Sequence, residues 1–263
     1  MLSMKLSVAD SKRMNVAINA LAKENGKELL EVLKSEIRLF AADLAQNTKP
    51  EGKDKDAQQR GMANVEGRIR QIYLTSPIVS VIIEKQGLGV GTRKHGQAKF
   101  AALMESKKYK EVQKYLDSVV PFLNITVGKF DKGELHKAQR KQARVTKRML
   151  VVTGVAGLGV YIRREQKKVG FAKSGFATAA RYLGGTRGIP GWVTRLKGAG
   201  WGRVYGTNEK PNVELGNRTR YIRQALDKRG ENRAISFRTR SIEGRVFKAI
   251  DYNARKATRK INS

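Results

Sequence analysis

The stretch "HKAQRKQARVTKRM" places cations at Lys137, Arg140, Lys141, Arg144, Lys147 and Arg148. Steps of three and four residues put all six on one face of a helix. No acidic residue interrupts from Leu135 to Arg164. Like charges at this spacing cost an isolated helix a few tenths of a kcal/mol each, so the stripe calls for an anionic counterpart. The bland alternative is a solvated face on a chain that is basic throughout. With no aromatic side chain in the stripe to stack on bases, it could grip a phosphate backbone or an acidic protein, but could not read sequence.

Other reactive groups are few. His95 sits in a glycine-rich stretch and His136 in the basic stripe, neither with a carboxylate or second imidazole at ligand spacing. Both read as solvated surface residues. There are no cysteines, which excludes disulfides, thiolate metal sites and thiol nucleophiles. From Gly91, "GTRKHGQA" has the frame of a P-loop, but Gln97 and Ala98 stand where lysine and a hydroxyl residue are needed. Gly87-x-Gly89-x-Gly91 and "GVAGLG" at Gly154–Gly159 have the wrong glycine spacing for a dinucleotide loop. Ser174 lies in a helical pattern rather than on a nucleophile elbow. The inventory predicts no enzyme activity, no cofactor and no metal.

The chain of 263 residues carries 54 Lys and Arg against 23 Asp and Glu, a formal charge of +31. Such self-repulsion is offset by an anionic partner: nucleic acid, a lipid surface or an acidic protein. Residues 1–60 hold 11 basic and 9 acidic side chains, so the excess begins after them. The start "MLSMKLSVADSKRMN" has no apolar core of signal-peptide length. The run Met149–Ile162, with three glycines, is too short to cross a bilayer. No membrane association is expected.

These groups must be positioned by an α+β, helix-rich fold with long amino- and carboxy-terminal helices and a small sheet. Met14, Ile18 and Leu21 predict one helix after a cap at Asp10 or Ser11, and Leu30, Leu33, Ile37, Ala41 and Leu44 a second. Met62, Val65, Ile69 and Ile72 predict a third, stopped at Ser76-Pro77. The β-branched run Ile78–Glu84 and the alternation in "FLNITVG" predict strands. Helix is expected over Gln97–Val119 with a break near Ser106, over Glu134–Met149, and from Leu158 to Leu183, closed by Gly184-Gly185. "NVEL" reads as a strand, and Ile242, Val246 and Ile250 as a long final helix. The expectation is one domain over 1–263, with a mobile loop at 47–61 and Gly-rich arms at 86–97 and 184–206. The turn at Gly188–Trp192 is expected to be exposed, presenting Ile189, Pro190 and Trp192 to an interface, with burial of Trp192 in the chain's own core as the alternative.

"VGFAKSGFATAARYLGGTRGIPGWVTRLKG", Val169–Gly198, resembles a segment of minor structural proteins of tailed bacteriophages, the neck, head–tail connection or tail-completion class. "EIRLFAADLAQNTKP" (Glu36–Pro50) and "RIRQIY" (Arg68–Tyr73) are similar to their amino-terminal helix, Thr-x-Pro loop and following helix. "NVELGNRTRYIRQAL" (Asn212–Leu226) and the basic helix after it resemble their ending. Gly87–Leu135 resembles nothing in that class. The resemblance carries no catalytic residues. It implies a homo-oligomeric ring or collar in the virion, assembled in the host cytoplasm. That ring would contact the portal-side connector, the tail terminator or both, near packaged DNA. The competing reading is a sequence-nonspecific nucleic-acid-binding protein acting through basic helical stripes.

Overall fold

The computed structural model describes residues 4–7, 12–25, 29–88, 93–141, 148–206 and 211–261. They fall into two compact units, one formed by Met1–Gly61 with Val169–Ser263, the other by Met62–Lys168. The sequence suggested a single domain; the second unit is instead inserted into the chain of the first.

The first unit contains β1 (Met4–Ser7), α1 (Lys12–Asn25) and α2 (Leu29–Asn47), and the start of α3 (Lys55–Ile72). The expected helical stripes are present: Met14, Ile18 and Leu21 of α1 pack with Leu33, Ile37, Ala41 and Leu44 of α2. The segment between α2 and α3 spans only 48–54, not 47–61, and is tied to its surroundings. Lys49 N–H donates to the Ala225 carbonyl at 2.8 Å. The fully buried Lys173 ammonium donates to the Gly52 carbonyl at 2.8 Å.

The second unit continues from α3 into β2 (Tyr73–Leu74), α4 (Ser76–Gln86), α5 (Arg93–Glu105), α6 (Tyr109–Val119), β3 (Ile125–Gly128), α7 (Glu134–Lys141), β4 (Met149–Val152) and α8 (Ala156–Gln166). Its three strands are parallel in the order β2-β4-β3. Alternate residues serve two cores, as the period of a strand requires. Leu74 and Val151 pack with Val79, Ile83, Val112 and Leu116 on one face. Tyr73 and Val152 pack with Ile69, Leu158 and Ile162 on the other.

Two strand expectations resolve differently. "FLNITVG" yields β3. Ile78–Glu84 is not a strand but lies within α4. Pro77 occupies the first helical turn, where its missing N–H costs nothing, after an extended Thr75. Val79 and Ile83, four residues apart, are both fully buried, so packing overrides β-branched propensity. The helix expected over Glu134–Met149 ends at Lys141 among the described residues, and Met149 begins the central strand. The apolar run after it is divided between β4 and α8, because a strand hydrogen-bonded on both sides needs consecutive apolar residues. The break near Ser106 is present, with Lys107 in the left-handed region at φ 56°. The expected arm 86–97 contains the first residues of α5; 89–92 lie outside the described residues.

Back in the first unit, α9 (Phe171–Tyr182) is followed by α10 (Gly191–Thr194), β5 (Gly200–Gly206), β6 (Pro211–Asn217), α11 (Ile222–Ala225) and α12 (Lys228–Ile261). The helical pattern expected over Leu158–Leu183 is two helices. Gly170, at φ 88°, separates them. Gly184-Gly185 ends α9 as expected, with Gly185 N–H bonded to the Ala180 carbonyl. The arm expected over 184–206 is largely ordered structure, since β5 joins an antiparallel sheet of order β1-β6-β5. Its glycines allow the sheet to lie directly on α9. A Cβ on Gly200 would stand 1.6 Å from the Gly175 carbonyl oxygen, and one on Gly202 2.7 Å from that of Ala179. No helix among the described residues is long and apolar enough to cross a membrane.

Candidate functional site

The second unit holds a pocket of about 470 Å³ lined by Arg68, Gln71, Phe122, Asn124, His136, Gln139, Arg140 and Arg148, with Ile72, Leu123 and Met149 as its apolar part. Its walls are the last turns of α3 and α7 and the residues just before each strand: Ile72 before β2, Phe122–Asn124 before β3, Arg148 before β4. The pocket thus lies at the amino edge of the parallel sheet. Ligands of open parallel sheets usually sit at the carboxyl edge instead.

Three guanidiniums and no carboxylate line this space. Arg68 and Arg148 make no ion pair among the described residues; Arg140 lies 3.8 Å from Glu165. Arg68 and Arg140 sit in or near the last turns of their helices, where a cation complements the helix dipole. Each helix end supplies only about half an elementary charge. Two such ends do not neutralise three arginines, and Arg148 caps no helix.

Behind the arginines lies a buried polar layer. Asp131 orders the start of α7: its carboxylate accepts from Gly133 N–H at 3.0 Å and Leu135 N–H at 2.9 Å, and from the Tyr73 hydroxyl at 2.6 Å. The Tyr73 oxygen in turn accepts from His136 N–H at 3.2 Å. His136 Nδ1 lies 2.8 Å from the Tyr161 hydroxyl. Burial, helped by the positive charges of Arg140, Lys168 and Arg68 and opposed by Glu165, holds the imidazole below its ordinary pKa. Burial also pushes the Tyr161 hydroxyl up to about 12, and the Tyr73 hydroxyl still further with help from Asp131. These groups are held neutral. They fix the first turn of α7, from which the helix runs on to Arg140, against the strand residue Tyr73 and against Tyr161.

The basic stripe is only partly assembled as expected. Lys137 and Arg140 lie on α7, and Lys141 is its last residue. Arg144 and Lys147 lie outside the described residues. Arg148 does not continue the helix: it precedes β4, and its carbonyl accepts from Gln139 Nε2 at 2.6 Å. Lys137 pairs with Glu134 at 2.7 Å and takes no part in the pocket. So Arg140, on α7, and Arg148, just before β4, meet in one pocket from two different elements rather than along one helical face. His136 corrects a second expectation, being only 6% exposed; His95 is exposed, on α5.

No known protein family, no curated protein and no solved structure matches the chain.

In the turn Ile189-Pro190-Trp192, expected to be exposed, Ile189 is buried while Pro190 and Trp192 are half-buried. Ile189 is 8% exposed and belongs to the core of the first unit. The Trp192 ring covers Gly170 so closely that a Cβ there would fall 2.3 Å from Cζ3, and its Nε1 donates to the Lys53 carbonyl. Gly170, just before α9, and Lys173 on α9 seat the ring, which packs half-buried against the core of the first unit.

A second cavity, of about 640 Å³, lies between α1, α2 and α12. Its charges oppose each other: Arg245 is paired to Glu36 in two hydrogen bonds. Among the described residues, no group of three or more His, Asp and Glu side chains is arranged to hold a metal. Sequence reasoning missed Arg68, Gln71, Phe122 and Asn124. Arg68 and Gln71 stood in "RIRQIY", and Pro121-Phe122 followed a predicted helix, but nothing in linear spacing joined them to Arg140.

Proposed function

We propose that the protein is a non-enzymatic structural subunit of a tailed-phage virion, acting in the neck or head–tail connection as part of a ring or collar. One observation carries this reading: where the resembling segments lie. Glu36–Pro50, Val169–Gly198 and Asn212–Leu226, with the basic helix that follows, all belong to the first unit. There α2, α9, β5, β6 and α12 pack on one another around a common core. Gly87–Leu135, which resembles nothing in that class, belongs to the second unit, as does the short Arg68–Tyr73 segment. Three of the four patches, and all of the long ones, fall on one packed scaffold, which fortuitous patches would have no reason to do.

On this reading the first unit is the assembly scaffold and the second an inserted module bearing much of the positive charge. The partners are the portal-side connector, the tail terminator and further copies of the chain, with packaged DNA nearby. A ring stacked on acidic neighbours uses complementary potential to steer docking. The test is a particle-assembly assay in which the chain is withheld. Filled heads and separate tails that join when purified protein is added back are the expected outcome. Fully joined, infectious particles made without it would contradict the assignment. The competing reading, nucleic-acid binding, is favoured by the acid-free pocket of the second unit.

A further inference from the structure

The stripe read as a line of cations lacks any aromatic partner; the folded pocket supplies one. Phe122 is 57% exposed and lines the same space as Arg68, Arg140 and Arg148. An aromatic ring more than half exposed beside two guanidiniums without an ion pair among the described residues, Arg68 and Arg148, and a third only loosely paired to Glu165, matches a ligand with a flat apolar face and an anionic group. Three side-chain amides, Gln71, Asn124 and Gln139, share the pocket, and each can donate and accept. Gln139 already uses Nε2 on the Arg148 carbonyl, which leaves its oxygen free to accept.

We propose that this pocket binds a nucleotide of a single-stranded nucleic acid, its base stacked on Phe122 and its phosphates held by Arg68, Arg140 and Arg148. The volume of about 470 Å³ lies within the range of small-ligand sites, which suits one nucleotide rather than a duplex. Arg68, Phe122, Asn124, Arg140 and Arg148 are all exposed, so a strand can enter and leave. An acidic peptide would satisfy the arginines but give Phe122 no face to cover. A duplex keeps its base faces stacked inside and has the same shortcoming. The inference stands on the pocket alone and does not require the virion assignment.

The test uses the full chain and a fluorescent octathymidylate, with a duplex of equal length and poly-glutamate as separate ligands, in anisotropy titrations at several salt concentrations. The protein's large charge gives every polyanion some affinity, so the variants carry the decision. Phe122→Ala is expected to weaken single-strand binding about tenfold, within the range for loss of one stacked base, and to leave duplex binding unchanged. Arg148→Gln should weaken single-strand binding and reduce the log–log salt slope by about 0.7. Both side chains are exposed, and a circular dichroism melt matching the parent's checks that the fold is kept. A free nucleotide, dTMP, is the competitor. Displacement only at concentrations far above those of the octamer supports a strand; competition on equal terms overturns it in favour of a mononucleotide. The proposal is also overturned if Phe122→Ala leaves single-strand affinity unchanged, or if it weakens duplex and poly-glutamate binding equally.

Discussion

Replacing Arg238 by methionine should unfold the first unit at markedly lower temperature. Its guanidinium lies buried between two carboxylates of α2. It bonds to Asp43 through Nε at 2.7 Å and Nη2 at 2.6 Å, approaches Glu36 at 3.7 Å, and donates to the Leu39 carbonyl at 3.3 Å. Asp43 and Glu36 are themselves buried. Glu36 keeps Arg245 when Arg238 is removed, but Asp43 loses its ion-pair partner. Breaking one side of a buried pair costs about 3–5 kcal/mol. At about 2–4 °C per kcal/mol for a unit of this size, the melting temperature should fall by roughly 6–20 °C. Burial already raises the Asp43 carboxyl above its usual pKa, with Arg238 opposing the shift. Without Arg238 the pKa climbs further, and the folded variant takes up a proton that the unfolded chain does not until lower pH. The penalty should therefore shrink on acidification. Circular dichroism melts of parent and variant at pH 7.5 and pH 5 measure both effects. The double variant Asp43→Asn with Arg238→Met should recover part of the loss, since no buried charge is stranded. A single-variant cost below about 1 kcal/mol, or a penalty equal at both pH values, would mean that Asp43 is not left as a stranded buried charge.

Two further predictions concern the first unit. Gly200→Ala should cost about 3 kcal/mol or more, because its Cβ meets a backbone carbonyl that cannot step aside, whereas Gly244→Ala on α12 meets nothing and should stabilise by about 0.5–1 kcal/mol; chemical denaturation of the two variants checks the opposite signs. Burial lowers the Lys173 ammonium to about 8, so the folded chain releases this proton near pH 8 while the unfolded chain keeps it to about 10.5. Stability from this group should then rise with pH across that window by up to about 1.4 kcal/mol per unit, and Lys173→Met should remove that component from the denaturation profile.

The helices with a clear apolar stripe were legible in the sequence: α1, α2 and the buried part of α12 follow their predicted faces. So was β3, whose alternation matched its setting. What failed did so where tertiary packing outweighed local preference. The β-branched residues of α4 read as a strand until Val79 and Ile83 are seen filling one core. β4 was concealed because its four residues join a basic segment to a glycine-rich one, and only pairing to β2 and β3 makes it a strand. Trp192 looked like a docking group because Gly170 and Lys173, which seat it, belong to a separate helix. The pocket was least legible. Arg140 and Arg148 stood out as charges, but Arg68 and Phe122 come from distant segments brought together only by the parallel sheet.

The proposed place of this chain is in the joint between head and tail. Quantitative mass spectrometry of purified particles, with cross-linking to locate its neighbours, tests it most directly. A fixed number of copies per particle, comparable to other ring proteins and cross-linked to portal-side and tail-terminator proteins, is the expected outcome. Absence from intact particles, with the chain recovered only in the host cell fraction, would contradict it.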